Sequence, residues 1–321
     1  LNVVEMNRQQ RTLELQKARQ RTLEFVYYIQ HELGYKNLGL ADDEFSTPDK
    51  LPYIPYHREG RRLKGMVRMT INDVLYRDDN HALYRTGVSV GDYPVDHHHA
   101  CNPKAPDIKF PPIPSFNIPL GALIPEKVDG LVVSDKAISV SNIINGSTRL
   151  QPCVLLTGQA AGALAAISVR NRQKIRAINV REVQQALLDA GAYLMPLVDV
   201  GFDDVDFQTI QRVAASGILN VNGEPHAWAN RTWFYPDSTI TIHEFSKGLH
   251  SFNSKSAVRA ELTGLSVNQA IQMISECVGK DIAEVESTIW AKRMKRNYDP
   301  ELRITKRELS ILVDQLIRPF E

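Results

Sequence analysis

The stretch from Gly130 to Gly162, GLVVSDKAISVSNIINGSTRLQPCVLLTGQAAG, decides how the rest of the chain is read. Gly130-Leu131-Val132-Val133 is a short apolar run behind a glycine and predicts a buried strand. A polar loop follows. Then Gly158, Ala160, Ala161, Gly162, Ala163, Ala165 and Ala166 crowd one run and predict a long small-residue helix near 152–169. A helix flank this small lets another backbone, or a flat ligand, come very close. Its first turn offers unpaired N–H groups and a positive dipole end, suited to an anion or an electron-rich ring edge. Arg149 stands just before that turn and Pro152 within it, where proline is tolerated. On these grounds two readings stand side by side, close packing or the approach of a ligand.

Upstream, residues 1–33 carry Leu13, Leu15, Leu23, Phe25, Val26, Ile29 and Leu33 among many Arg and Gln, which predicts one or two amphipathic helices stopped at Gly34. Pro48, Pro52 and Pro55 forbid regular helix in the next segment. Strand-like pieces follow at about 63–71, 86–95 and 117–124, and a further amphipathic helix at 179–191. The expected fold class is thus α/β or α+β. A change of texture near residue 200 predicts two domains, 1–199 and 200–321. In the second, Thr241 with Glu244 and Thr305 with Glu308 each form a capping-box pattern before an apolar helix, which suggests an internal repeat.

Composition narrows the functional classes. Lys and Arg number 38 against 37 Asp and Glu, so a net charge of +1 gives no electrostatic case for a nucleic-acid partner. No apolar run reaches the roughly 20 residues of a membrane span, so no membrane segment is expected. Three scattered cysteines (Cys101, Cys153 and Cys277) make neither a disulfide framework nor a zinc ribbon. In the run His97-His98-His99 only the first and third share a strand face, and no metal is expected there. The start at Leu1, without a methionine, reads as a truncation; any targeting segment is then expected upstream, with a periplasmic or cell-surface location in view.

The Gly130–Gly162 stretch resembles the C-terminal flavin-contacting segment of FAD-dependent oxidoreductases of the glutathione-reductase-like superfamily. The matching pieces are Ile138-Ser139, Gly146-Ser147-Thr148-Arg149, Pro152 and Thr157-Gly158-Gln159-Ala160-Ala161-Gly162. Upstream, Leu40 to Phe45, Pro55 to Arg62 and Gly91 to His98 continue the likeness in order. The resemblance implies FAD as cofactor, with Asp135, Lys136, Arg149, Gln151, Pro152, Gly158 and Gln159 against it. It implies a small-molecule substrate, held by Arg61, Arg62 and Asp96, with His97, Arg58 and Tyr93 as catalytic candidates. Two departures accompany it. Asp135-Lys136 stands where many members have Gly-Arg. The Gly-x-Gly-x-x-Gly turn that grips the ADP half of FAD is also missing, and its place would be a segment upstream of Leu1. The chain from Leu1 to Glu321 alone is therefore expected to bind FAD weakly or not at all.

Bland readings stand beside these. Arg58, Arg61 and Arg62 clamp a carboxylate or pair with surface acids. Cys153 is expected to be a buried, inert thiol rather than a reactive one. After residue 200, Phe234, Pro236, Asp237, Ile240, Thr241, Glu244 and Phe245 resemble the S-layer-homology motif, and Ile304, Thr305, Glu308 and Leu309 a second copy. That family anchors proteins to cell-wall polysaccharide, normally with three copies. Trp228, Trp233 and Tyr235 either stack on a sugar or fill a core. The reading that follows is an oxidoreductase moving a hydride from an organic, sugar-derived substrate to flavin. Its alternative is a non-catalytic module binding cell-surface glycan or protein.

Overall fold

The computed structural model describes residues 3–97, 108–294 and 296–321. His98, His99 and Cys101 lie outside the described residues. The chain divides into two compact units, Leu1–Arg61 and Arg62–Glu321.

In the first unit, α1 (Arg8–His31) starts with a reciprocal capping box between Asn7 and Gln10. It ends before Gly34, whose φ of +76° is a conformation that glycine adopts without cost. The expected amphipathic pattern is corrected, because α1 buries no residue. Its apolar positions scatter around the helix: Leu13 and Leu15 lie about 200° apart, too far for one stripe. The irregular 40–61 stretch is tied to α1 by Arg19, which donates through Nε to Asp49 (2.8 Å) and through Nη1 to the Pro52 carbonyl (3.1 Å). That guanidinium holds the Asp49 carboxyl below its ordinary range.

The second unit mixes helices with two small antiparallel sheets. β1 (Gly87–Gly91) pairs with β2 (Phe116–Pro119), Ser89 opposite Ile118 and Gly91 opposite Phe116. β3 (Asn222–Glu224) pairs with β4 (Arg231–Trp233). The 63–71 piece forms only two isolated bridges, Gly65 with Pro125 and Met69 with Val140. The predicted strand at Gly130–Val133 is also absent. Only Val133 bonds outward, its N–H to the Leu123 carbonyl at 2.8 Å, and Leu131 is exposed. With no flanking strand to pair with, an apolar run has no ladder, and Asp135 at φ +64° turns the chain out of extended backbone.

The short α2 (Asn72–Leu75) and α3 (Asn142–Thr148) precede α4 (Gln151–Asn171), which packs on β1 and on α5 (Val180–Asp189). α4 sets Cys153, Thr157, Ala160, Leu164 and Ile167 into the core, a stripe at helical spacing. By length and hydropathy α4 is also apolar enough to cross a bilayer, which corrects the expectation from the sequence. Here it is the packing helix of the sheet.

The remaining helices are α6 (Phe207–Ser216), α7 (Ile242–Phe252), α8 (Val267–Val278), α9 (Ala283–Arg293) and α10 (Lys306–Leu316). Both expected capping boxes form, Thr241 with Glu244 and Thr305 with Glu308. A third, Ser266 with Gln269, opens α8. The residues before the three caps, Ile240, Leu265 and Ile304, are buried and chained by backbone bonds, Leu265 N–H to Ile240 O (2.8 Å) and Ile304 N–H to Leu265 O (3.0 Å). Lys306 joins this junction. Its ammonium donates to the Asn220 (2.8 Å) and Phe234 (2.5 Å) carbonyls and lies 4.3 Å from the Phe234 ring centre. Burial pulls its pKa down to about 8. The hydrophobic core of the unit runs without a break from Met69 to Val313, past residue 200.

Candidate functional site

Beyond β1 the chain runs Asp92-Tyr93-Pro94-Val95-Asp96-His97, alongside α3 and the first turn of α4. Two glycines allow that approach. A Cβ on Gly91 would stand 2.6 Å from Cys153 Sγ, and one on Gly146 would stand 2.8 Å from the Asp96 carbonyl oxygen and 2.9 Å from His97 Nε2. Both distances lie well inside van der Waals contact, so only glycine fits without displacing a neighbour.

Arg149, buried at 6% exposure, ends α3 and donates from Nη2 to the Asp96 carbonyl at 2.5 Å. His97 Nε2 lies 3.0 Å from the Ile143 carbonyl. A ring nitrogen facing a carbonyl is the one that carries the proton. Three of the expected residues, Arg149, Asp96 and His97, are therefore brought together, held partly through backbone carbonyls. On α3 lie buried polar atoms without a hydrogen-bond partner among the described residues: both side-chain heteroatoms of Asn145, Ser147 Oγ and Thr148 Oγ1. So many orphaned polar atoms on one short helix mark a place where water or a polar group belongs.

The other expected residues distribute as follows. Gln151, Pro152, Gly158 and Gln159 lie on the exposed flank of α4. At Gly158 and Gly162 no atom lies within 4 Å of where a Cβ would stand. The Gly158 and Gly162 side of the helix thus points away from the packed stripe, in which Ala160 lies. Asp135 occupies the left-handed region, which Asp tolerates at modest cost, and its Oδ1 accepts from the Lys136 N–H (2.6 Å) and ammonium (3.1 Å). Arg62 directly precedes Leu63, whose N–H bonds the Ala137 carbonyl at 2.7 Å, so it stands beside that turn. Arg58 and Arg61 belong to the first unit; Arg61 contacts Glu5 (3.5 Å) and the Val4 carbonyl (3.4 Å). Cys153 is the inert thiol that was expected, pushed up to about 12 by burial and then by Asp92.

What sequence reasoning missed is the contribution of residues beyond 187. The Tyr93 ring packs at 44° against Trp228, 5.6 Å between centres, and the Asn230 N–H donates to the Asp92 carbonyl at 2.9 Å. No sequence signal joins positions so far apart.

A profile of the FAD dependent oxidoreductase family matches residues 2–187, more than half of the chain, and the chain belongs to that family. No curated protein matches the chain. No solved structure matches it either. A redox function with FAD follows at the level of the family. The residues fit that cofactor on two counts. The first turn of α4 is exposed at Gln151 and Pro152, and the first N–H groups of a helix have no partner within it. The glycine flank behind it is open to a flat group.

Proposed function

We propose that this chain supplies the substrate-side half of a flavin site of the glutathione-reductase-like type, oxidising a C–H bond of an organic substrate. When bound, FAD supplies the hydride-accepting chemistry. The first turn of α4, entered through Arg149, Leu150, Gln151 and Pro152, directs a positive dipole end to where negative charge develops, an arrangement that needs no reorganisation during reaction. Arg149 and Gly146 hold the Asp96–His97 turn against α3. His97 and Tyr93 are assigned proton transfer, and Asp96 and Arg62 the polar end of the substrate. Asp135 and Lys136 are proposed backbone neighbours of the cofactor. The observation that supports the reading best is the convergence of Arg149, Asp96 and His97 beside the exposed start of α4, within the stretch shared with the family.

Arg149→Ala is expected to weaken FAD retention roughly tenfold, the scale of one charge-assisted hydrogen bond. Equilibrium dialysis with FAD, alongside circular dichroism to confirm the fold, measures this. Unchanged retention removes Arg149 from the flavin site.

A second reading concerns residues 200–321 as an S-layer-homology-like domain that binds cell-surface glycan. It is favoured by the third capping box at Ser266, which raises the repeats from two to three meeting at one junction. The stacked Trp233 and Tyr235 rings, 5.8 Å apart at 6°, offer a sugar platform. Tyr235 is held there at φ +57° by its N–H bond to the Asp199 carboxylate at 2.7 Å. Retention of the chain on purified wall polysaccharide, lost in Trp233→Ala, is the expected result; passage of the unaltered chain without delay excludes the reading.

A further inference from the structure

A cavity of about 330 Å3 opens between β1, the start of α4 and two segments that follow the family-matched stretch. Tyr93, Pro152 and Leu156 line it from the family-matched stretch, and Tyr193, Leu197 and Val198 form a later wall. The later wall is built firmly. Buried Gln211 of α6 accepts from the Leu194 (2.9 Å) and Met195 (2.7 Å) N–H groups and donates to the Met195 carbonyl (3.0 Å). Val198 is fixed by its N–H bond to the Thr232 carbonyl at 3.0 Å.

The chemistry of the lining selects its ligand. Asp92 is its one carboxylic side chain, and no lysine or arginine lines it. A carboxylate or phosphate would meet like charge in apolar surroundings, which is unfavourable on both counts. Polyhydroxylated groups would find few partners, since apart from Asp92, the two tyrosines and Asn230 the lining is apolar. The volume lies at the lower end of the roughly 300–1,000 Å3 of small-molecule sites, too small for a dinucleotide and suited to one ring or a short branched chain. Asn230, buried at 4% exposure, also lines it, with its Oδ1 taken by the His226 N–H (2.8 Å) and its Nδ2 without a partner among the described residues.

We propose that this cavity is a subsite for an uncharged, mainly apolar portion of the substrate, and that Tyr193, Leu197 and Val198, outside the family-matched stretch, set its selectivity. The proposal rests on the flavin-site reading for its role in catalysis, because Pro152 belongs to both places. It shifts the substrate class away from sugar-derived acids toward neutral compounds with an aryl or alkyl end.

Benzyl alcohol and benzoate are matched probes that differ in charge. Ligand-observed NMR titration of the whole chain is expected to show benzyl alcohol binding at least tenfold tighter than benzoate. Val198→Trp, at a half-exposed position where the larger ring fills the mouth, should weaken benzyl alcohol at least tenfold. Val198→Ala should keep it within about threefold. No binding of benzyl alcohol by the unaltered chain, equal or tighter binding of benzoate, or unchanged binding in Val198→Trp overturns the proposal. FAD retention, measured in parallel by quenching of flavin fluorescence, separates the two readings. If Val198→Trp loses FAD together with benzyl alcohol, the cavity holds flavin and the subsite is refuted. If benzyl alcohol binds in the Val198-dependent way but Arg149→Ala leaves the quenching by added FAD unchanged, the neutral-ligand subsite stands and the flavin reading fails.

Discussion

Gly248→Ala is expected to lower thermal stability sharply, although helix propensity alone favours the change. Alanine in place of glycine inside a helix gains about 1 kcal/mol. Gly248 lies in α7, and a Cβ there would stand 1.9 Å from the carbonyl oxygen of Ile218 and 2.8 Å from its carbonyl carbon. These are backbone atoms of the turn after α6, so no side chain can swing aside. The turn leads directly to Asn220, whose carbonyl takes the Lys306 ammonium, so a shift of Ile218 disturbs the three-helix junction as well. Overpacking of this kind costs about 3 kcal/mol or more, which outweighs the propensity gain. For a unit of this size the melting temperature should fall by roughly 4–8 °C. Calorimetry checks it, with Gly162→Ala on α4 as the control, since a Cβ there meets nothing within 4 Å. Equal melting temperatures for the two variants would show that α7 and the Ile218 turn can part without cost.

Local chemistry in this chain was legible and pairing was not. The capping boxes at Thr241 and Thr305 are four-residue devices whose partners sit three positions apart, and both form as read. The box at Ser266 escaped notice because Gln269 replaces the glutamate of the other two, although its amide accepts the same bond, Ser266 N–H to Oε1 at 2.9 Å. The long helix after Arg149 was predicted within a few residues of its ends. The strand at Gly130–Val133 failed for the opposite reason, since an apolar run specifies burial but not a neighbour to pair with. The same limit applies to the site. Gly146, Arg149 and His97 stood out as a motif, whereas the contacts of Trp228 and Asn230 with Tyr93 and Asp92 needed the fold. The left-handed backbone of Asp135, at φ +64°, likewise needed the fold to be seen.

Gly146→Ala should cost more function than its size suggests. The added methyl meets Asp96 O at 2.8 Å, Asp96 N at 2.9 Å and His97 Nε2 at 2.9 Å, so either α3 or the Asp96–His97 turn must retreat. α3 is the less able to move, because Ile144, Asn145, Gly146, Ser147 and Thr148 are all buried. The turn therefore gives way, which stretches the Arg149 bond to the Asp96 carbonyl and the His97 bond to the Ile143 carbonyl together. A displacement approaching 1 Å in a positioned group costs up to about a hundredfold in rate, so substrate-driven reduction of flavin should slow by roughly ten- to a hundredfold. Stopped-flow absorbance of the flavin band measures it, and the titration of His97 followed by NMR reports the same movement without any cofactor. A variant with an unshifted His97 resonance and unchanged reduction would mean that the Asp96–His97 turn tolerates the methyl, and that the glycine of the Gly146-Ser147-Thr148-Arg149 motif serves only the packing of α3.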